Sequence, residues 1–188
     1  MRLFTTFFSA LLICTLSYEM AYSRSFSDHP VHSGKWTDKY DRHFKKYSKR
    51  YFGPLFDWHW FKAQAIAESA LSHDAESHVG ARGLMQIMPA TFDEISKQNP
   101  QFSKLESPKW NIAAGIYYDR TLYRKFKKTA AQDKLYMTFA SYNAGYGRIL
   151  NASKRTGSDE KNWEEIKPFL PSETQGYVDR IRKLMGES

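Results

Sequence analysis

The chain has 188 residues, a formal net charge of +8 and a single cysteine, Cys14. It is large enough for one domain with its own core, and with one cysteine and 16% aromatic residues it is not a disulfide-dependent minidomain. The charge draws the chain toward anionic polymers or phospholipid surfaces.

The first 23 residues read as an export leader rather than as fold. Arg2 supplies a positive charge, residues 3–16 are an apolar stretch, and Ala21-Tyr22-Ser23 offers a small-residue cleavage site. The stretch is short for a membrane span, although an uncleaved anchor is the alternative. Ile13 directly before Cys14 argues against lipoprotein processing. Removing residues 1–23 takes away one basic and one acidic residue, Arg2 and Glu19, so the exported form keeps the same net charge and has no cysteine.

Residues 24–34 read as a polar leader to the domain. In 36–52, Tyr40, Phe44, Tyr47 and Tyr51 recur at helical spacing, with Lys39, Arg42, Lys45, Lys46, Lys49 and Arg50 on the other faces. Such a stripe either packs on a core behind a solvated charged back or binds nucleic acid; export argues for packing. Gly53-Pro54 breaks the helix, and Asp57 caps the next one. That next helix is apolar nearly all round, with Trp60, Phe61, Ala63, Ala65, Ile66 and Ala67, so it is a buried helix. Glu68 lies on the same face as Phe61 and Ala65. A carboxyl there loses water, its pKa rises, and it can serve as a proton donor near neutral pH.

Residues 72–82 form a loop with at most a short pairing over 77–85. Pro89 opens a helix with Phe92 and Ile95 on one face, and Ser107-Pro108 opens another whose stripe is Ile112, Ile116, Asp119, Tyr123 and Phe126. Thr129-x-x-Gln132 has the form of a capping box before a helix carrying Leu135, Phe139 and Tyr142, which Gly145 and Gly147 end. Pro168 and Pro171 bracket a tight connection. Ser172-x-x-Gln175 then caps a last helix with Tyr177, Ile181 and Leu184 as its stripe. The sum is a mainly α, single helical domain with little or no β structure, divided as leader 1–23, basic-aromatic segment 24–56 and catalytic domain 57–188.

Other chemistries find little support. His73, Asp74, Glu76 and His78 are metal-ligand types, but they lack zinc-site spacing and a second cluster, so no metal and no cofactor are expected. There is no Gly-x-Ser-x-Gly elbow and no phosphate-cradling loop. Gln86, amid apolar neighbours after Gly80 and Gly83, either aims at a ligand amide or hydroxyl or bonds local backbone.

Four blocks in order carry a resemblance. Glu68-Ser69, Ser77-x-x-Gly80-Ala81-x-Gly83-Leu84-Met85-Gln86-Ile87-Met88-Pro89, Tyr142-Asn143-Ala144-Gly145 and Glu173-Thr174-x-x-Tyr177-Val178 together resemble the soluble lytic transglycosylase family, a branch of the lysozyme-like superfamily. The resemblance implies a lysozyme-like fold. It also implies non-hydrolytic cleavage of the β-1,4 bond between N-acetylmuramic acid and N-acetylglucosamine in peptidoglycan, leaving a 1,6-anhydro end. Glu68 would be the acid and then the base. Ser77 would orient the acetamido group or C6 hydroxyl, while Gln86, Tyr142, Asn143 and Tyr177 would line the glycan groove. Glu173 is a groove acid or a structural one in a first helical turn. Val79 stands where some relatives have a second serine. The partners implied are peptidoglycan strands and envelope-assembly proteins, with no nucleic acid, for a monomer in the periplasm or cell envelope. The alternatives are a goose-type-lysozyme-like muramidase and a non-catalytic wall-binding module.

Overall fold

The computed structural model describes residues 29–157 and 162–187; the expected export leader, with Cys14, lies outside the described residues. Among the described residues eight α-helices follow in order: α1 Asp41–Phe52, α2 His59–Ser69, α3 Pro89–Gln98, α4 Pro108–Tyr123, α5 Ala131–Ala144, α6 Tyr146–Arg155, α7 Trp163–Ile166 and α8 Ser172–Leu184. Among the described residues, strand-like pairing is limited to two isolated bridges, Glu76 with Arg82 and Arg82 with Ile87. The mainly α expectation holds.

The core forms around the two helices whose sequences lack a polar face. In α2 every residue from His59 to Ile66 except Trp60 is buried, and in α5 every residue from Leu135 to Ser141 is. A helix buried all round must be covered on several sides. α5 is covered by α4, α6, α7 and α8, and α2 by α1 and α8. Trp163 of the short α7 and Phe139 of α5 are among the largest fully buried side chains.

The basic-aromatic segment packs. Its helix begins at Asp41, later than the stripe suggests, because residues 33–40 form turns. Tyr40, Phe44 and Tyr47 are buried, and α1 lies chiefly along α4. Ring contacts fasten that seam: Tyr51 to Tyr117 at 5.5 Å and Phe52 to Tyr123 at 5.4 Å. Buried Lys62 of α2 is neutralised by Asp41 of α1 at 2.9 Å, as a buried ammonium requires.

Several local expectations need correction. Neither capping box forms. Thr129 makes no cap hydrogen bond, and Gln132 reaches instead to Tyr136 and Glu187. Ser172 is the first helical residue after Pro171, and Gln175 donates to the Leu170 carbonyl at 2.9 Å. Gly145, at φ 86°, ends α5, but Gly147 lies inside α6, a helix the glycines had hidden. Phe126 falls beyond the end of α4 and is buried from a turn. Asp57 does serve α2, accepting from the His59 backbone N–H at 3.0 Å. In α8, Val178, Ile181 and Leu184 are buried in the core, and Tyr177 packs against it partly buried with its hydroxyl directed to Glu68.

Candidate active site

Glu68 sits in the last turn of α2, half-buried, at one wall of a cleft of about 620 Å³. The cleft is lined by Ala67 and Glu68 from α2, by Ser77, His78, Val79, Ala81, Gln86 and Met88 from the loop, by Tyr142 and Asn143 from α5, and by Glu173, Gly176, Tyr177 and Arg180 from α8. Every residue expected in the site therefore meets in one place, drawn from four separate parts of the chain.

Loss of water raises the Glu68 carboxyl to about 7. One interaction opposes the rise: the Tyr177 hydroxyl donates to Glu68 Oε1 at 2.6 Å, which favours the carboxylate. Burial pushes the Tyr177 phenol well above its ordinary range, helped by the adjacent Glu68, so it stays a donor. Removing that donor lets the Glu68 pKa climb further. The Tyr177→Phe variant is expected to show the alkaline limb of its pH–rate profile moved to higher pH, with a rate loss of roughly tenfold from misorientation. An unmoved limb would mean that the hydroxyl does not set the acid's strength.

The loop that forms the opposite wall is fixed by side chains that double as scaffold. Tyr142 donates to the Met85 carbonyl at 2.8 Å, and Ser69 donates to the Leu84 carbonyl at 2.9 Å. Gln86 spends its amide N–H groups on the carbonyls of Ala75 (3.1 Å) and Gly83 (2.9 Å), the backbone-bonding alternative, while still lining the cleft. Ser77 Oγ accepts from the Ala81 N–H at 3.0 Å. Asn143, exposed at the end of α5, accepts from Thr174 at 2.8 Å, which ties α5 to α8. Glu173 is exposed in the first turn of α8. Val79 is 60% exposed and presents a methyl surface in place of a hydroxyl.

The metal-type loop is divided between two cavities. His78 faces the cleft, while His73, Asp74 and Glu76 line a separate cavity with Arg82 and Glu106. Among the described residues no group of three or more His, Cys, Asp or Glu side chains converges to hold a metal.

Three groups escaped the sequence reading. Buried Asn111 of α4 accepts from the Met85 N–H at 2.8 Å and donates to the carbonyls of Arg82 (2.9 Å) and Leu105 (3.2 Å). It is the peg on which the loop hangs. Asp119, placed in the α4 stripe only by its spacing, is fully buried and held by Gln64 at 3.3 Å. Burial pushes its carboxyl well above the ordinary range, as does the charge of Glu68, so the fold favours its neutral form beneath the site. Arg180 reaches the carbonyls of Ile66 and Ala67 at 3.4 and 3.5 Å, at the end of α2 beside Glu68. Polar spacing on a helix was the available signal for Asn111 and Asp119.

Backbone strain collects here too. Among the described residues the non-glycine positions with left-handed backbone are Ala70 (φ 53°), Leu71 (φ 62°) and Gln86 (φ 44°). Two directly follow Glu68-Ser69 and one lies in the facing loop. Such conformations cost energy and persist where the surroundings over-determine them, typically at sites.

Comparison with known proteins agrees with this geometry. The Transglycosylase SLT domain family matches residues 44–164. A membrane-bound lytic murein transglycosylase F of Vibrio vulnificus is 28% identical over 162 residues, covering 74% of this chain and 29% of its own length. The chain thus spans under a third of that relative. Among solved structures, an inactive mutant of the lytic transglycosylase Slt from Pseudomonas aeruginosa superposes with a TM-score of 0.66 at 26% identity, over 78% of this chain and 23% of that one. The 70 kDa soluble lytic transglycosylase of Escherichia coli gives the same TM-score at 29% identity, again over 78% and 23%. The acid-bearing cleft, the helical frame around it and the match across most of the described residues place this chain in the transglycosylase SLT domain family.

Proposed function

We propose that this domain is an exported peptidoglycan lytic transglycosylase that cleaves the β-1,4 bond between N-acetylmuramic acid and N-acetylglucosamine without water. The observation that carries this reading is Glu68: a carboxyl raised to about 7, half-buried at the wall of an open cleft, with one phenolic donor. Family membership and the relatives named lytic transglycosylases support it.

In this reading protonated Glu68 gives its proton to the glycosidic oxygen as the C1–O bond breaks. The leaving sugar departs with its new hydroxyl, and positive charge develops at C1. Glu68, now a carboxylate, takes the proton from the C6 hydroxyl of the same muramyl residue as that oxygen bonds to C1. The products are a 1,6-anhydro end and regenerated acid, so atoms and protons balance. A pKa near neutrality suits a group that must act as acid and then as base. Ser77 orients the substrate's acetamido or C6 hydroxyl group. Gln86 shapes the subsite through the loop it holds, and Tyr142, Asn143 and Tyr177 line the glycan path. Residues 1–23 direct export to the periplasm or envelope, 24–56 buttress the domain, and 57–188 carry the catalytic machinery.

One observation favours a second reading. Glu173 is another carboxyl lining the cleft, and glycosidases that use water need a pair. A muramidase would use Glu173 to activate water against C1. Digestion of purified sacculi tests the two: cleavage that depends on Glu68 supports either, and the chemistry of the new end separates them. Binding to sacculi with no turnover would contradict both.

A further inference from the structure

A corner remote from the cleft joins an exposed apolar tip to a dense ring of cations. α1 ends at Phe52, and Gly53, at a φ of 101°, caps it. Leu55, between Pro54 and Phe56, is 98% exposed. Beneath it lies an aromatic bed, with Phe52 against Phe56 at 4.6 Å and against Tyr123 at 5.4 Å.

Two of those rings, and Trp58 beside them in sequence, each carry a cation. Arg120 lies over Phe52 at 5.6 Å, Lys134 over Tyr123 at 4.1 Å and Lys45 over Trp58 at 4.8 Å. Lys49 and Arg50 project from the last turn of α1 and are exposed. The acids nearby are engaged elsewhere. Asp41 pairs with Lys62, Asp57 accepts from His59, and Asp133 accepts from the Trp163 backbone N–H. The corner therefore carries five cations, Lys45, Lys49, Arg50, Arg120 and Lys134, against the two acids Asp57 and Asp133, an excess of positive charge beside one leucine.

We propose that this Leu55 corner docks on an anionic lipid surface, with Leu55 inserted among the acyl chains and the surrounding lysines and arginines on the headgroups. A hydrated anionic polymer would satisfy the cations but would leave the leucine in water, so the two features together select a bilayer. Each cation held near an anionic leaflet strengthens partitioning by about fivefold. The geometry also orients the molecule. Leu55 precedes the N-terminus of α2, while Glu68 is in its last turn, and an 11-residue helix separates them by about 16 Å. A docked domain keeps its cleft away from the bilayer and open to a polymer above it. This proposal does not depend on the chemistry assigned to the cleft, and its failure would leave that reading untouched.

The test reads insertion locally, because residues 3–16 can hold the full chain on a vesicle by themselves. The full chain carrying Cys14→Ser and Leu55→Cys is labelled at position 55 with an environment-sensitive fluorophore, and a second protein is labelled at Val79→Cys beside the cleft. Both are titrated with vesicles of phosphatidylglycerol and phosphatidylcholine, and with phosphatidylcholine alone. The expected result is a blue shift and brightening at position 55 on anionic vesicles only, with position 79 unchanged. Adding Lys45→Glu, Lys49→Glu and Arg50→Glu should raise the lipid needed for half-maximal shift by at least about 100-fold, the loss of three cations alone. A probe at position 55 that stays in water, a shift as large on neutral vesicles, or indifference to the three charge reversals would overturn the proposal. Binding to sacculi or nucleic acid by the same cations with no shift at position 55 would assign the corner to a polymer instead.

Discussion

Glu68→Gln is expected to abolish cleavage while making the folded protein more stable above neutral pH. The activity loss is on the order of 10⁴-fold, because in the proposed mechanism one group supplies both proton transfers and the amide can supply neither. The stability gain follows from the direction of the shift. A carboxyl whose folded pKa is raised to about 7 binds its proton more tightly in the folded state than in the unfolded one. The stabilisation this represents is fully present below the unfolded pKa and is lost as pH rises through about 7. Above that pH the wild type must hold a poorly hydrated charge, which the glutamine variant does not. The half-buried carboxyl keeps some of its water, so the expected gain at pH 8 is roughly 2 kcal/mol, less than the whole shift converts to. At pH 4 the two proteins should melt together. Denaturant unfolding at the two pH values checks this; equal stability at both would mean that Glu68 is not desolvated in the free enzyme. A variant that is inactive yet more stable is also the sign of a site whose stability was given up for function.

Gly83→Ala is expected to dismantle the cleft through its far wall. Gly83 has a φ of 76°, a region L residues enter at a cost of roughly 1–2 kcal/mol. A Cβ built there would lie 2.5 Å from the Asn111 side-chain nitrogen. That nitrogen cannot give way freely, because it bonds two carbonyls while its partner oxygen holds the Met85 N–H. Moving Asn111 leaves buried backbone groups unpaired, which costs about 1–3 kcal/mol for each. The expected loss is about 3–5 kcal/mol in total, with catalysis falling because Gln86 and Ser77 belong to the same loop. Thermal unfolding and turnover by the surviving folded fraction check it. A melting temperature within a degree or two of wild type would show that the loop tolerates the methyl and that Asn111 is not its peg.

What could be read from the chain, and what could not, follows from the range of each interaction. The all-round apolar α2 announced its own burial, and with it the shift of Glu68, because both consequences are local. The motif blocks brought the cleft residues together by resemblance, and the structure places all of them on one cavity. The capping boxes failed because Gln132 and Gln175 had better partners: Gln132 bonds Glu187, 55 positions away in sequence, and Gln175 takes the Leu170 carbonyl. Helix α6 was hidden because Gly145 and Gly147 both read as terminators, yet only Gly145 has the left-handed backbone that ends a helix. The double service of Gln86 and Tyr142, as cleft wall and as loop fastener, depends on which carbonyls the fold brings near them. The same holds for Tyr177, which spacing assigned to the core stripe of α8 and the fold turns onto Glu68.

The mass of the new ends produced from purified sacculi decides between one carboxyl acting twice and a pair of carboxyls activating water. Muropeptides lighter by one water than their hydrolytic counterparts, resistant to borohydride reduction, and absent when Glu68→Gln is used are the expected result of one carboxyl acting as acid and then base. New reducing ends that take up hydride, formed at a rate that depends on both Glu68 and Glu173, would contradict it and establish a two-carboxylate hydrolase in the same cleft.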